Sequence, residues 1–374
     1  MNDNLIRDIT IDGFRAFDHF EMHDLGRVNL LVGKNNCGKS SVLEAIQIAS
    51  AYADPLALNS VMSRRGERLW DDDSSRGDWD ISHLFHGHVA ALGRRFRIHQ
   101  QRNESDEEID VKIIELDPNR LQRDRLFPSQ PLDDETSLIG LRMNWISGNQ
   151  SDSVDLPLTG GRAIPRRFVR STSSVRDPQQ PPTTLVTTNA LSSSEVVWLF
   201  DNIVLTSEED QVLNALHTIE PTIERIAATS THTRRDSSER AGIKVKMKGI
   251  REPIPIGSMG DGIWRMLGLS LALARSADGR LLIDEIDTGL HYTVMEKMWK
   301  LVYEGAKRLN VQVFATTHSR DCVESLAAIA SSDEYEEGGG DDVTLQRIER
   351  DKNTAVAFTG HEIVVAAERE IEVR

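Results

Sequence analysis

Residues 27–40 read Arg-Val-Asn-Leu-Leu-Val-Gly-Lys-Asn-Asn-Cys-Gly-Lys-Ser. The run Arg27 to Val32 is short and mostly apolar, and reads as a buried strand. Gly33 to Ser40 then satisfies the pattern GxxxxGK[ST]. Beyond it Val42, Leu43, Ala45, Ile46 and Ile48 lie on the inner side of an amphipathic helix. Strand, glycine loop and helix in that order form the setting a phosphate loop requires. The glycines let backbone N–H groups wrap a phosphate, and the helix N-terminus adds its positive dipole end. Lys39 would reach the β- and γ-phosphate oxygens, and the Ser40 hydroxyl would be a ligand for Mg²⁺. The nucleotide-binding candidates are therefore Gly33, Lys34, Asn35, Asn36, Cys37, Gly38, Lys39, Ser40 and Ser41.

Working outward, three further stretches acquire meaning from this loop. Leu281-Leu-Ile-Asp284-Glu285 is an apolar strand ending in two acids. Side chains alternate along a strand, so the two carboxylates can serve different roles. Asp284 would hold Mg²⁺ through water, and Glu285 would orient and deprotonate an attacking water. His318 follows the apolar run Val311–Thr317 and occupies the place of a γ-phosphate sensor. Ser258-Met-Gly260-Asp-Gly262 precedes a helix carrying Trp264, Leu267, Leu271 and Leu273. A hydroxyl and glycines at a helix start suit phosphate contact.

The rest of the chain sets bounds. The 374 residues are 39% apolar, enough for a large core or a domain with an insertion. A net charge of −15 excludes a uniformly basic, polyanion-coating surface. Local basic clusters remain: Arg162, Arg166, Arg167, Arg170 and Arg176 in one segment, and Arg234, Arg235, Lys244, Lys246 and Lys248 in another. Each is of a kind that contacts nucleic-acid phosphates, and also of a kind that merely solvates a face. Two cysteines, Cys37 and Cys322, give neither a disulfide framework nor a zinc pattern. No signal peptide or membrane span is expected, so the chain reads as cytoplasmic.

Strands are expected over 5–13, 95–146 (three runs forming an antiparallel meander), 243–249, 281–285 and 311–317. Helices are expected near 261–275, 292–309 and 320–331. Ser207-Glu-Glu-Asp210 reads as a capping box opening a helix through Leu216, Ile219, Ile223 and Ile226, kinked at Pro221. Residues 54–80 read as a loop with short helical pieces, 147–194 as an irregular insertion, and the acidic run 333–342 as a solvated loop. A hairpin and a short helix close the chain. No heptads predict coiled-coil arms. The organisation is an N-terminal lobe (1–53) with the phosphate loop, a middle segment (54–254) of antiparallel strands with helical and irregular insertion, and a C-terminal lobe (255–374).

Taken together, GxNxxGKS, the Ser258–Gly262 stretch, IDEID, Gly289-Leu-His291, TTHS and the opening IDGFRAF resemble the ATPase domains of the RecF/SMC superfamily. More narrowly they resemble the AAA-type ATPases of the OLD (overcoming lysogenisation defect) family. The resemblance implies an α/β P-loop NTPase of ABC type, with a mixed sheet, an antiparallel β-meander and a helical or irregular insertion. It implies ATP and Mg²⁺ as cofactors and a head-to-head homodimer with two ATPs between protomers. Ser258 and Gly260 would then touch the γ-phosphate held by the partner's loop. Asp287 would cross the interface and Arg15 would lie near the nucleotide. The pattern departs from the family in reading SMGDG for LSGGQ. The segment 80–88 offers His83 and His86 where a glutamine is usual. No TOPRIM nuclease is expected after the ATPase motifs. The implied biology is the ATPase subunit of a prokaryotic antiphage system controlling a separate, TOPRIM-like effector. A RecF-like repair ATPase and a nucleotide-gated scaffold with negligible turnover are the alternatives, and DNA stays open as a partner.

Overall fold

The computed structural model describes residues 5–69, 77–102, 105–116, 136–165, 180–188, 191–229, 242–331 and 342–373. Its central element is a six-stranded sheet in the order Thr183–Val186, Arg280–Ile283, Gln312–Thr316, Val28–Val32, Val343–Arg347, Val356–Thr359. The first five strands run parallel, and the last pairs antiparallel at the edge. The three central strands are buried along their whole length. That burial explains their unbroken apolar runs, since a parallel sheet is covered on both faces.

Alternation along those strands divides the core in two. Val28, Leu30, Val32, Leu281, Ile283, Val313 and Ala315 face a helical layer. Its helices are α3 (Ser193–Ile203), α4 (Ser207–His217), α5 (Asp261–Arg275), α6 (Tyr292–Arg308), α7 (Arg320–Ala330) and α8 (Gly360–Glu368), following α1 (Lys39–Ala49) and α2 (Pro55–Arg65). Leu31, Leu282 and Phe314 face the other way, onto Val42 and Ile46 of α1 and the inner side of a nine-stranded sheet. The helix that follows the phosphate loop is thus clamped between two sheets, and its N-terminus emerges at the C-terminal ends of the parallel strands. The nine-stranded sheet contains the expected meander, with Arg95–Arg102, Asp106–Glu115 and Thr136–Ser147 in consecutive antiparallel register. Among the described residues no helix is long and apolar enough to cross a membrane.

Three expectations are corrected and a fourth, the helical pieces within 54–80, is made definite. The stretch 147–194 is not irregular throughout: Gln150–Thr159 extends the meander, and Thr183–Val186 is the outer strand of the parallel sheet. The first is hidden by polar letters on an exposed strand end, the second by its four-residue length. The helix opened at 207 stops at His217, and Ile223–Ala228 is a strand paired with Ile243–Met247. A register shift between Ile223 and Arg225 puts Ile223 and Ile226 on one buried face, so a bulged strand imitates helical spacing. The cap of that helix is Thr206, whose side chain accepts from Glu208 N–H, rather than Ser207. Residues 55–65 form an eleven-residue helix, capped by Asp54 with Pro55 in the first turn and closed by Gly66 at φ 67°. Arg166, Arg167, Arg170, Arg176, Arg234 and Arg235, and the acidic run up to residue 341, lie outside the described residues.

Candidate active site

The phosphate loop owes its shape to two positions that only glycine fits. Gly33 has φ 142°, and a Cβ there would stand 2.3 Å from the Ile348 carbonyl oxygen. Gly38 has φ 108°, and its Cβ would fall 2.3 Å from the Phe17 ring. Gly38 caps α1 without any side-chain hydrogen bond, so the first N–H groups of the helix are left for an anion. Lys39 is nearly buried; its Nζ donates to the carbonyls of Gly33 (2.7 Å) and Lys34 (3.0 Å). Burial lowers the pKa of this ammonium. Lys34, Asn35 and Asn36 are exposed on the outer rim, while Cys37 and Ser41 are buried behind it. Gly38→Ala is expected to weaken nucleotide binding by about 10- to 100-fold, the effect of ~1–3 kcal/mol of backbone strain. Titration with a fluorescent ATP analogue checks this.

The acids that follow Arg280–Ile283, the next strand but one from Val28–Val32, meet the loop. Ser40 Oγ donates across both carboxylate oxygens of Asp284, at 3.2 and 3.3 Å. Thr316 Oγ1 donates to Asp284 Oδ1 at 2.7 Å and accepts from Glu285 N–H at 2.8 Å. Glu285 occupies the left-handed region at φ 49°, and its carboxylate accepts from Thr288 Oγ1 at 3.1 Å. This turn aims the Glu285 side chain at Thr288, away from the partners of Asp284. A hydroxyl and one carboxylate converging beside a phosphate-binding loop fit Mg²⁺, which keeps waters and phosphate oxygens as its other ligands. Among the described residues no cluster of three or more His, Cys, Asp or Glu side chains offers an all-protein cage.

His318 is brought to the same place: its Nδ1 lies 3.4 Å from Lys39 Nζ. Asp287 is held by Thr317 Oγ1 at 2.6 Å, one residue before His318. Ser258 and Gly260 lie on the surface, on the turn entering α5. Arg15 is buried and ion-paired to Glu44 of α1 and to Glu67, at 2.6 Å each. It braces the back of the loop helix. The segment 80–88 wraps that arginine: the His83 carbonyl accepts from its guanidinium, and His86 Nδ1 contacts its carbonyl at 2.9 Å. Lys246 donates to the carbonyls of Ile250 and Arg251.

Sequence reading missed Arg265, a lone cation in the apolar run of α5. Its guanidinium donates to the carbonyls of Thr187 (2.7 Å), Asp284 (3.2 Å) and Glu285 (2.8 Å). Burial pulls its pKa down to about 10. A charged letter inside so apolar a helix was the available signal.

A model of the AAA ATPase domain matches residues 5–119 and 169–323. An ATP/GTP phosphatase of Helicobacter pylori (strain ATCC 700392 / 26695) is 22% identical over 354 residues, spanning 88% of this chain and 90% of its own. Among solved structures, an SMC head bound to the C-winged helix domain of ScpA aligns with TM-score 0.46 and 14% identity, covering 95% of this chain and 97% of that one. The SMC head domain from Thermotoga maritima aligns with TM-score 0.41 and 12% identity, over 95% and 98%. The family match takes in the phosphate loop in its first stretch and the acidic strand and His318 in its second, over more than half of the chain, and so the chain belongs to the AAA ATPase domain family and is an ATPase.

Proposed function

We propose that the chain hydrolyses ATP in an ABC-type site and works as a dimeric conformational switch. The observation that carries this reading is the convergence of Ser40, Asp284 and Glu285 beside Lys39. Lys39 and the loop N–H groups bind and orient the phosphates. Ser40 and Asp284 would hold Mg²⁺, which supplies positive charge against the β- and γ-phosphate oxygens. Glu285 takes the proton of the attacking water, and His318 donates a hydrogen bond to the γ-phosphate oxygens. The chain contributes positioning and charge rather than covalent chemistry.

Ser258 and Gly260 stand exposed, which supports their use on the nucleotide of a second copy; by the family resemblance Asp287, which is partly exposed, would cross that interface. Closure on ATP and opening on hydrolysis would then be the output. By resemblance to the OLD family, that output controls a separately encoded effector, TOPRIM-like, in a prokaryotic antiphage system. Phosphate release by the purified chain, with Mg²⁺ and with EDTA, is the direct test. Mg²⁺-dependent turnover that Asp284→Asn lowers by about 10²-fold or more is expected. Equal turnover in EDTA would remove Ser40 and Asp284 from the metal role. Unaltered phage sensitivity after gene deletion, with impaired repair, would replace the defence reading by a RecF-like one.

A further inference from the structure

We propose that Thr316 is a positioning residue for the hydrolysis, orienting the Asp284 carboxylate and the Glu285 backbone through one hydroxyl. The inference rests on the roles proposed above for those two acids. Thr316 closes its strand directly after the apolar run Val313–Ala315 and is fully buried. A hydroxyl there must find partners, and it spends its hydrogen on Asp284 and a lone pair on Glu285 N–H. Its contact to Asp284 Oδ1, at 2.7 Å, is shorter than either contact from Ser40. Thr316 therefore sets the rotation of the carboxylate and leaves Oδ2 directed at Ser40, where a cation would be shared.

The same residue governs the turn that follows. Glu285 is left-handed, a conformation a non-glycine residue keeps only when its surroundings hold it. The Thr316 hydroxyl accepts from Glu285 N–H, and the Thr316 carbonyl accepts from Ile286 N–H at 3.0 Å. One residue of the sensor strand thus fastens two successive amides of the catalytic turn. His318 lies two positions further on, so the strand that reports on the γ-phosphate also orients both acids.

Thr316→Val keeps the shape and removes the hydroxyl. It is expected to lower kcat about 10- to 100-fold, the effect of losing one hydrogen bond to a charged group. The Mg²⁺ concentration needed for half-maximal turnover should rise. Affinity for a fluorescent ATP analogue in EDTA should stay within about threefold, while the gain in affinity that Mg²⁺ confers shrinks. Thr316→Ser, which restores the hydroxyl alone, should recover most of kcat and of the Mg²⁺ response. Thermal unfolding of each variant guards against simple misfolding. Parental kcat and Mg²⁺ dependence in Thr316→Val would overturn the inference, as would a Ser variant as impaired as the Val one. Asp284→Asn and Glu285→Gln, run alongside, separate the two failures. If they are impaired and Thr316→Val is not, this inference alone falls; if they too turn over normally, the assignment of the acids falls with it.

Discussion

Glu285→Gln is expected to cut phosphate release by about 10²–10⁴-fold, the usual contribution of a positioned general base. ATP affinity should change by less than about threefold. Glutamine keeps the length of the side chain and an oxygen that can still accept from Thr288 Oγ1, but it cannot take a proton. The backbone of the turn is held by Thr316 and Arg265 through groups the substitution does not touch. A loss confined to kcat would therefore report on proton transfer and not on the shape of the site. In the dimer reading the slowed variant should also accumulate in its closed form. Light scattering after gel filtration with Mg·ATP should show about twice the protomer mass, while the parent returns to the smaller species as ATP is consumed. Undiminished turnover would remove Glu285 from its role. Loss of ATP binding together with turnover would make it a structural residue. Slow turnover without a change of mass would leave the catalytic assignment standing and retire the dimer.

What could be read from the letters differed between site and scaffold for a physical reason. The loop at 33–40, the acids at 284–285 and His318 stood out in the letters because the chemistry proposed for them restricts the residue type at each position, and the fold brings them together. No other residue substitutes for Gly38 at φ 108° against a phenyl ring. The helices α5, α6 and α7 were legible to within a residue or so: α6 and α7 each carry a single apolar face, and α5 is a long apolar run buried on every side from Ile263 to Leu273. The strand Thr183–Val186 was not, because it is four residues long and is made a strand by its neighbour Arg280–Ile283. Ile223–Ala228 misled because a bulge broke its alternation. Arg15 is a different case. Its place in the motif directs attention to the nucleotide, whereas its guanidinium is committed to Glu44 and Glu67, whose positions depend on the packing of α1 against α2.

Arg265→Met should cost both stability and turnover. The guanidinium spans three carbonyls from two strands, those of Thr187, Asp284 and Glu285. Hydrogen bonds from a charged donor contribute ~1.5–3 kcal/mol each. Desolvation of the cation, visible in its lowered pKa, offsets part of that sum. A net loss of about 2–4 kcal/mol is expected, measured by denaturant titration. Methionine fills most of the volume, so the deficit should come from unmatched carbonyls rather than a cavity. The catalytic effect follows from where those carbonyls lie. Glu285 is left-handed and therefore strained, and the Arg265 bond to its carbonyl opposes relaxation from one side as Thr316 does from the other. Release of one side should lower kcat about 10-fold or more with a smaller change in ATP affinity. Arg265→Lys should rescue little, since one ammonium on a flexible stem cannot reproduce a planar fork across three acceptors. Arg265 also sits one turn into the helix that begins at the Ser258–Gly260 loop; in the dimer reading proposed above, a partner's nucleotide pressing on that loop would be felt at Glu285 through this side chain. A variant that loses stability while keeping its kcat would confine Arg265 to holding strands together; one that loses kcat at a temperature where it is fully folded would place it in the path from that loop to the catalytic acid.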